Sequence, residues 1–299
     1  ERPAEQTVPA VPQETDGVGT DRDSGPAEGT SRQPQPDTPV PQPDTPVPQP
    51  DTPVPPPAAV RTPPVEKPVP AEPAGTLVFV FDDAGYNLNQ LQPFLDLPFP
   101  VTIAVLPGLR YSAEAARRIR AAGKDCILHQ PMQAVNRSQN PGPGAILPGM
   151  EPDEIRAIVR ANIDEIAPVT GMNNHEGSLI TSDTTAMNAV LDVVAEQGLY
   201  FLDSRTTAET VVPSVARARN MRIWERAVFL DNSQDRNTIM DAVYSGMKIA
   251  ERRGSAIMIG HIWSNELAQI LTEMYPDMVS QGFSLSTIAK IAASAEGDE

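Results

Sequence analysis

From Gly75 onward, short apolar runs alternate with amphipathic helical stretches, and no other feature of the sequence constrains the fold as much. Candidate strands are 77–81, 101–106, 125–129, 169–173, 199–203, 221–230 with a break, 255–261 and 283–287. Helices are expected between them. Ser112 is placed to cap one that stops at Gly123, Pro152 opens the next, and Asp183 caps a third that ends at Gly198. Ile155, Ile158, Val159, Ile163 and Ile166 recur at the spacing of one buried helical face. Ile239, Val243 and Met247 mark a fourth helix, and Leu267, Ile270, Leu271 and Met274 a fifth. These stripes read as core. Parallel neighbours need a crossover, so strands separated by helices predict a parallel sheet. The expected class is α/β, a barrel or partial barrel of seven or so parallel strands, with an open doubly wound sheet as runner-up.

Composition separates the first quarter of the chain from the rest. Of 33 prolines, 21 lie within residues 1–75, which hold no aromatic residue. Such a segment cannot bury enough apolar surface to offset its ordering entropy. A disordered Pro-rich tether over 1–75 is therefore expected, with one folded domain over 76–299. Residues 34–54 are three copies of Pro-Gln-Pro-Asp-Thr-Pro-Val, a polyproline II-type spacer. The chain begins at Glu1 rather than Met, so an N-terminal signal or anchor upstream is an expectation. Together with the spacer it suggests tethering in the cell envelope or periplasm.

The net charge of −16, without a basic cluster, argues against nucleic acid and anionic membrane surfaces as partners. No apolar run approaches the roughly 18 residues of a membrane span. The single Cys126 allows no internal disulfide, and its apolar strand context reads as a buried structural thiol.

The chain has only three histidines, and each closes or adjoins a strand-like run: His129, His175 and His261. A further run, Leu77-Val78-Phe79-Val80-Phe81, ends on Asp82 and Asp83. Parallel strands gather their carboxyl ends on one face, where chemistry is done. Singly, each of these residues has an ordinary explanation: a helix cap or solvated charge for the Asp pair, a hydrogen-bonded structural imidazole for His129. Jointly they can form a divalent-metal site. Asp83, His129 and His175 would supply one oxygen and two nitrogens, leaving a position open as in catalytic zinc sites. Asp82 is then the candidate base and His261 the candidate acid. Asp203 can orient His261, or it can pair with Arg205 or Arg226 and do no chemistry. The expected cofactor is a divalent metal, with zinc the first choice.

These residues resemble a known family. The strand ending in Phe81-Asp82-Asp83 is similar to the first motif of NodB-type polysaccharide deacetylases. Leu128-His129-Gln130-Pro131-Met132, Asn173-Asn174-His175-Glu176-Gly177-Ser178, Phe201-Leu202-Asp203-Ser204-Arg205-Thr206, Phe229-Leu230-Asp231-Asn232 and Ile259-Gly260-His261 resemble, in order, the divergent (YibQ-like) polysaccharide deacetylase family. The resemblance spans about residues 76–292. It implies a distorted (β/α) barrel, a bound divalent metal and removal of N- or O-acetyl groups from a carbohydrate substrate. It also implies Asp82 as base, Asp83 as metal ligand and His261 as acid. The sequence departs from the wider family at Gln133, four residues after His129, where the second metal histidine usually stands. Glu176, Gln133 and Ala227 also differ from the Met, Glu and Asp expected within the divergent family. The alternative to an enzyme is a catalytically inactive glycan- or partner-binding module. A third reading is an amidase or phosphoesterase working with the same face.

Overall fold

The computed structural model describes residues 73–264 and 266–296. The disordered tether expected over 1–75 lies outside the described residues up to 72, and its last residue, Gly75, already opens the first strand. The first strand, β1 (Gly75–Ala84), is central and runs the length of the sheet. In chain order it is followed by α1 (Leu88–Leu95), β2 (Thr102–Val105), α2 (Ser112–Ala121), β3 (Asp125–Met132), α3 (Pro152–Ile166) and β4 (Gly171–Glu176). Then come α4 (Thr184–Glu196), β5 (Tyr200–Asp203), α5 (Val212–Ala218), β6 (Trp224–Glu225), β7 (Val228–Phe229) and α6 (Arg236–Arg253). The described chain closes with β8 (Ser255–His261), α7 (Leu267–Ser280), β9 (Phe283–Ser286) and α8 (Ile288–Glu296).

Every strand pairing is parallel, in the order β6-β5-β4-β3-β2-β1-β8-β7, and the sheet curls into a half-barrel. β8 covers one edge of β1 along its length, from Thr76↔Ser255 to Asp82↔His261. The other edge is shared, with β9 beside Gly75–Val78 and β2 beside Val80–Ala84.

The strand expected over 221–230 is two short strands at opposite ends of the sheet. β6 pairs with β5 and β7 with β8, and only Arg226 and Ala227 lie between them. Arg226 N donates to Asp203 O at 3.0 Å, and Ala227 N donates to Ile257 O at 2.8 Å. The chain thus crosses the barrel's seam in a two-residue step. The Arg226 side chain spans the same seam, donating to the carbonyls of Ser204 and Arg205 while its guanidinium lies 3.7 Å over the Phe229 ring.

Strand alternation sorts the core into two parts. Leu77, Phe79 and Phe81 of β1 face the helices, together with Leu128, Met172, Phe201 and Met258 from other strands. Val78, Val80, Ile127, Leu202, Ile257 and Ile259 face the barrel interior, where Ile288 of α8 fills the space. Each fully buried large side chain of this kind contributes about 1.5–3 kcal/mol.

Three local expectations need correction. Ser112 does not cap α2: the cap is Tyr111, without a side-chain hydrogen bond. The Ser112 hydroxyl instead ties the preceding loop, accepting from Leu109 N and donating to Leu106 O. Strand β3, expected over 125–129, continues through Pro131 to Met132, with Pro131 opposite His175. The Pro131 carbonyl faces residue 146, accepting from Ile146 N at 2.9 Å. The missing N–H therefore points away from β4 and removes nothing from that ladder. Helices α1, α5 and α8 were not anticipated.

Other signals hold. Asp183 accepts from Thr185 N and Ala186 N at the start of α4, and Pro152 sits in the first turn of α3. Gly254, at φ +81°, ends α6 in the left-handed conformation and delivers the chain to β8. Cys126 is buried, and burial pushes its thiol up to about 12.

Candidate metal centre

The same alternation that builds the barrel interior determines which side chains meet at its carboxyl end. Interior residues Val80, Ile127 and Ile259 are each followed two positions on by Asp82, His129 and His261. Asn173 and His175 share the inward parity of β4, since Met172 faces the helices. Asp83 has the wrong parity for a regular strand. A register shift between Phe81 and Ala84, and a φ of +70° at Asp83, turn its carboxylate inward beside that of Asp82. Left-handed backbone at a non-glycine residue is strained and often marks a functional site.

Three donor atoms converge. Asp83 Oδ1 lies 3.4 Å from His129 Nε2 and 3.2 Å from His175 Nδ1, and the two ring nitrogens are 3.1 Å apart. Tetrahedral zinc with bonds of about 2.0–2.2 Å separates its ligands by about 3.3 Å. Asp83 Oδ1 is buried without a hydrogen-bond partner, whereas Oδ2 accepts from Trp263 Nε1 at 2.8 Å. An orphaned buried carboxylate oxygen aimed at two imidazole nitrogens is what a cation would satisfy. The residues fit a divalent metal.

Surrounding groups orient this set. Asn173 Oδ1 can only accept, so His129 donates from Nδ1 at 2.7 Å and leaves Nε2 free to bind an ion. The Asn173 amide nitrogen donates to Asp82 Oδ1 at 2.9 Å. One buried amide thus fixes both a candidate ligand and the candidate base. His261 donates from Nδ1 to Asp231 Oδ1 at 3.0 Å, and its backbone N–H donates to Asp231 Oδ2 at 2.7 Å. Its ring also stacks on Trp263, with centroids 4.8 Å apart.

The electrostatics differ sharply between neighbours. Burial raises the Asp82 carboxyl despite the lowering charges of His129 and His261. Burial would also raise Asp83, but the imidazoles of His129 and His175 facing it outweigh burial and hold that carboxyl well below the usual range. Burial lowers His129 and His261, yet both end up raised. The charges of Asp82 and Asp83 raise His129, and the Asp231 hydrogen bond carries His261 to about 9.

Asp203 does not join this group. Leu202 faces the interior, so Asp203 faces the helix layer, where it accepts from Arg205 N and from Thr210 Oγ1. Of the two readings open from the sequence, orientation of His261 is corrected: that position belongs to Asp231. The loop turn at Arg205 is what Asp203 holds. Asp231 and Asn173 were the residues missed. Asp231 lies two residues beyond inward-facing Phe229, and Asn173 two before His175, so strand parity was the available signal.

An α/β half-barrel with an Asp-His-His cluster at the carboxyl ends of its strands defines a class of fold and site. The family model for divergent polysaccharide deacetylases matches residues 79–292, and the chain belongs to that family. YibQ of Escherichia coli (strain K12), an uncharacterized protein, is 34% identical over 188 residues, which cover 63% of this chain and 59% of YibQ. An uncharacterized protein of Haemophilus influenzae (strain ATCC 51907 / DSM 11121 / KW20 / Rd) is 31% identical over 192 residues, covering 64% of this chain and 68% of the other. The chain thus spans about three fifths of YibQ and two thirds of the Haemophilus protein. The crystal structure of the uncharacterized protein ATU2773 from Agrobacterium tumefaciens C58 superposes with a TM-score of 0.65 at 21% identity, covering 73% of this chain and 89% of that one. That likeness is one of fold.

Proposed function

We propose that the cleft is the catalytic centre of a metal-dependent deacetylase that removes acetyl groups from N- or O-acetylated carbohydrate of the cell envelope. The observation that carries this reading is the triangle of Asp83 Oδ1, His129 Nε2 and His175 Nδ1, with Asp82 and His261 beside it. Membership of the family supports a carbohydrate substrate. The envelope is proposed from the Pro-rich composition of residues 1–75 alone.

Asp83, His129 and His175 would hold the ion, and zinc suits their donor set. A divalent ion bound there supplies polarisation of the acetyl carbonyl and a lowered pKa for water. Asp82, its carboxyl raised by burial and oriented by Asn173, takes the proton of the water that attacks that carbonyl. His261, fixed through Nδ1 by Asp231, donates from Nε2 to the departing nitrogen or oxygen. The C–N or C–O bond breaks, acetate leaves, and the free amine or hydroxyl remains on the sugar.

The test is acetate release from N- and O-acetylated oligosaccharides by the zinc-loaded chain. Asp82→Asn is expected to lower the rate by about 10²- to 10⁴-fold while ion binding persists. His129→Ala is expected to abolish both. A zinc-loaded sample that releases no acetate from a broad panel overturns the deacetylase reading. The intact acid and base pair favours turnover.

A further inference from the structure

Among the described residues, two buried side-chain polar atoms have no hydrogen-bond partner: Asp83 Oδ1 and Glu176 Oε2. The first is explained by the three-donor site. The second is not, and it belongs to the residue directly after His175.

Glu176 is the last residue of β4 and sits opposite Met132, one step beyond the Pro131↔His175 pair. Its backbone is left-handed, with φ +51°, and its carbonyl is pinned by two side chains. Its carbonyl accepts from Asn174 Nδ2 at 2.9 Å and from Thr206 Oγ1 at 2.8 Å. The fold therefore maintains a strained backbone at a residue whose carboxylate keeps one buried oxygen without a hydrogen bond, close enough to sense His175, Asp83 and His129. Strain and an orphaned charge together are costs that a stability-driven sequence would shed. The charged groups this carboxylate senses are His175, Asp83 and His129, with no arginine or lysine among them. A cation at the three-donor site is the missing counter-charge. Glu176 itself is outside the set whose ligand atoms lie within 4.8 Å of one another, so it does not replace any of the three.

We propose that Glu176 is a second acidic residue of the metal centre, a carboxylate that holds the hydrated side of the cation and tightens its binding. This rests on the reading of Asp83, His129 and His175 as metal ligands. It makes the centre one of two histidines and two carboxylates. The same charge that costs stability in the metal-free protein is repaid when the ion is bound.

The experiment titrates Zn²⁺ and Mn²⁺ calorimetrically into the metal-stripped full chain, for the parent, Glu176→Gln and Glu176→Met, and follows thermal unfolding with and without ion. Partners just outside the ligand set are typically worth 10- to 100-fold in affinity, and both variants are expected to lose about that much for each ion. Without metal, both are expected to melt at or above the parent temperature, because an orphaned charge has been removed. Unchanged affinity in the variants overturns the role of Glu176 while leaving the three ligands standing. Variants that melt well below the parent without metal make Glu176 a structural residue, which also overturns it. A parent that binds neither ion removes the three-ligand reading and this inference with it.

Discussion

His261 and Asp231 are joined twice: the imidazole Nδ1 and the backbone N–H of the histidine each meet a different oxygen of the same carboxylate, at 3.0 and 2.7 Å. The residues come from β8 and from the segment after β7, so the contact holds the proposed acid against the seam of the barrel. A charge-assisted pair of this kind fixes both the tautomer and the charge of the ring.

Removing that carboxylate's charge should move the acid. His261 lies at about 9, so it is protonated through neutral pH and loses its proton in mild alkali. In Asp231→Asn the ring should titrate lower, toward its ordinary value near 6.5. The alkaline limb of the acetate-release profile should shift down in pH by one unit or more. An unshifted limb would mean that the titrating acid is another group.

The same pair makes a stability prediction. A histidine raised in the folded state stabilises fully below its unfolded value of about 6.5, and the contribution fades as pH rises through the folded value of about 9. In the metal-free chain this amounts to on the order of 2 to 3 kcal/mol, given that the ring is partly exposed. Thermal unfolding of the parent and His261→Gln should therefore differ most at pH 6 and converge near pH 10.

Asn173→Ala should damage two functions at once. His129 loses the acceptor for Nδ1, and Asp82 loses a buried donor. Ion affinity should fall by about 10- to 100-fold, and stability by about 1–3 kcal/mol. Calorimetry and denaturant unfolding read the two separately.

Asp203→Ala should separate structure from chemistry. Its carboxylate holds Arg205 N and the Thr210 hydroxyl on the helix side of the sheet. A loss of about 1–3 kcal/mol in unfolding free energy, with ion affinity unchanged, is expected. A large loss of ion binding would place Asp203 nearer the cleft than its parity allows.

The alternation of strand and helix, and the carboxyl-end face that gathers the histidines, could be read from residues because both depend on periods of two and 3.6. Parity also separates Asp203 from His129, since Leu202 and Ile127 are the inward residues of their strands. Other features depend on distant partners. The inward turn of Asp83 needs a positive φ that no local motif encodes. The pairing of His261 with Asp231 depends on where a two-residue strand docks, and two residues carry no periodic signal. Asn173 is a neutral amide whose importance comes only from lying between His129 and Asp82. Pro131 marks a strand end by the usual rule, which fails where the neighbouring strand has already stopped.

The crossing at Arg226 and Ala227 has a mechanical consequence. Neighbouring strands of the described sheet pair through hydrogen-bonded ladders, but β6 and β7 are joined by a peptide link and the Arg226 guanidinium. Because β6 pairs only with β5 and β7 only with β8 among the described residues, no inter-strand ladder joins the two ends of the sheet there, and the covalent link and that guanidinium set how far apart they stand. The spacing of β1, β3, β4 and β8, on which the proposed ion site depends, is set instead by the parallel ladders between strands.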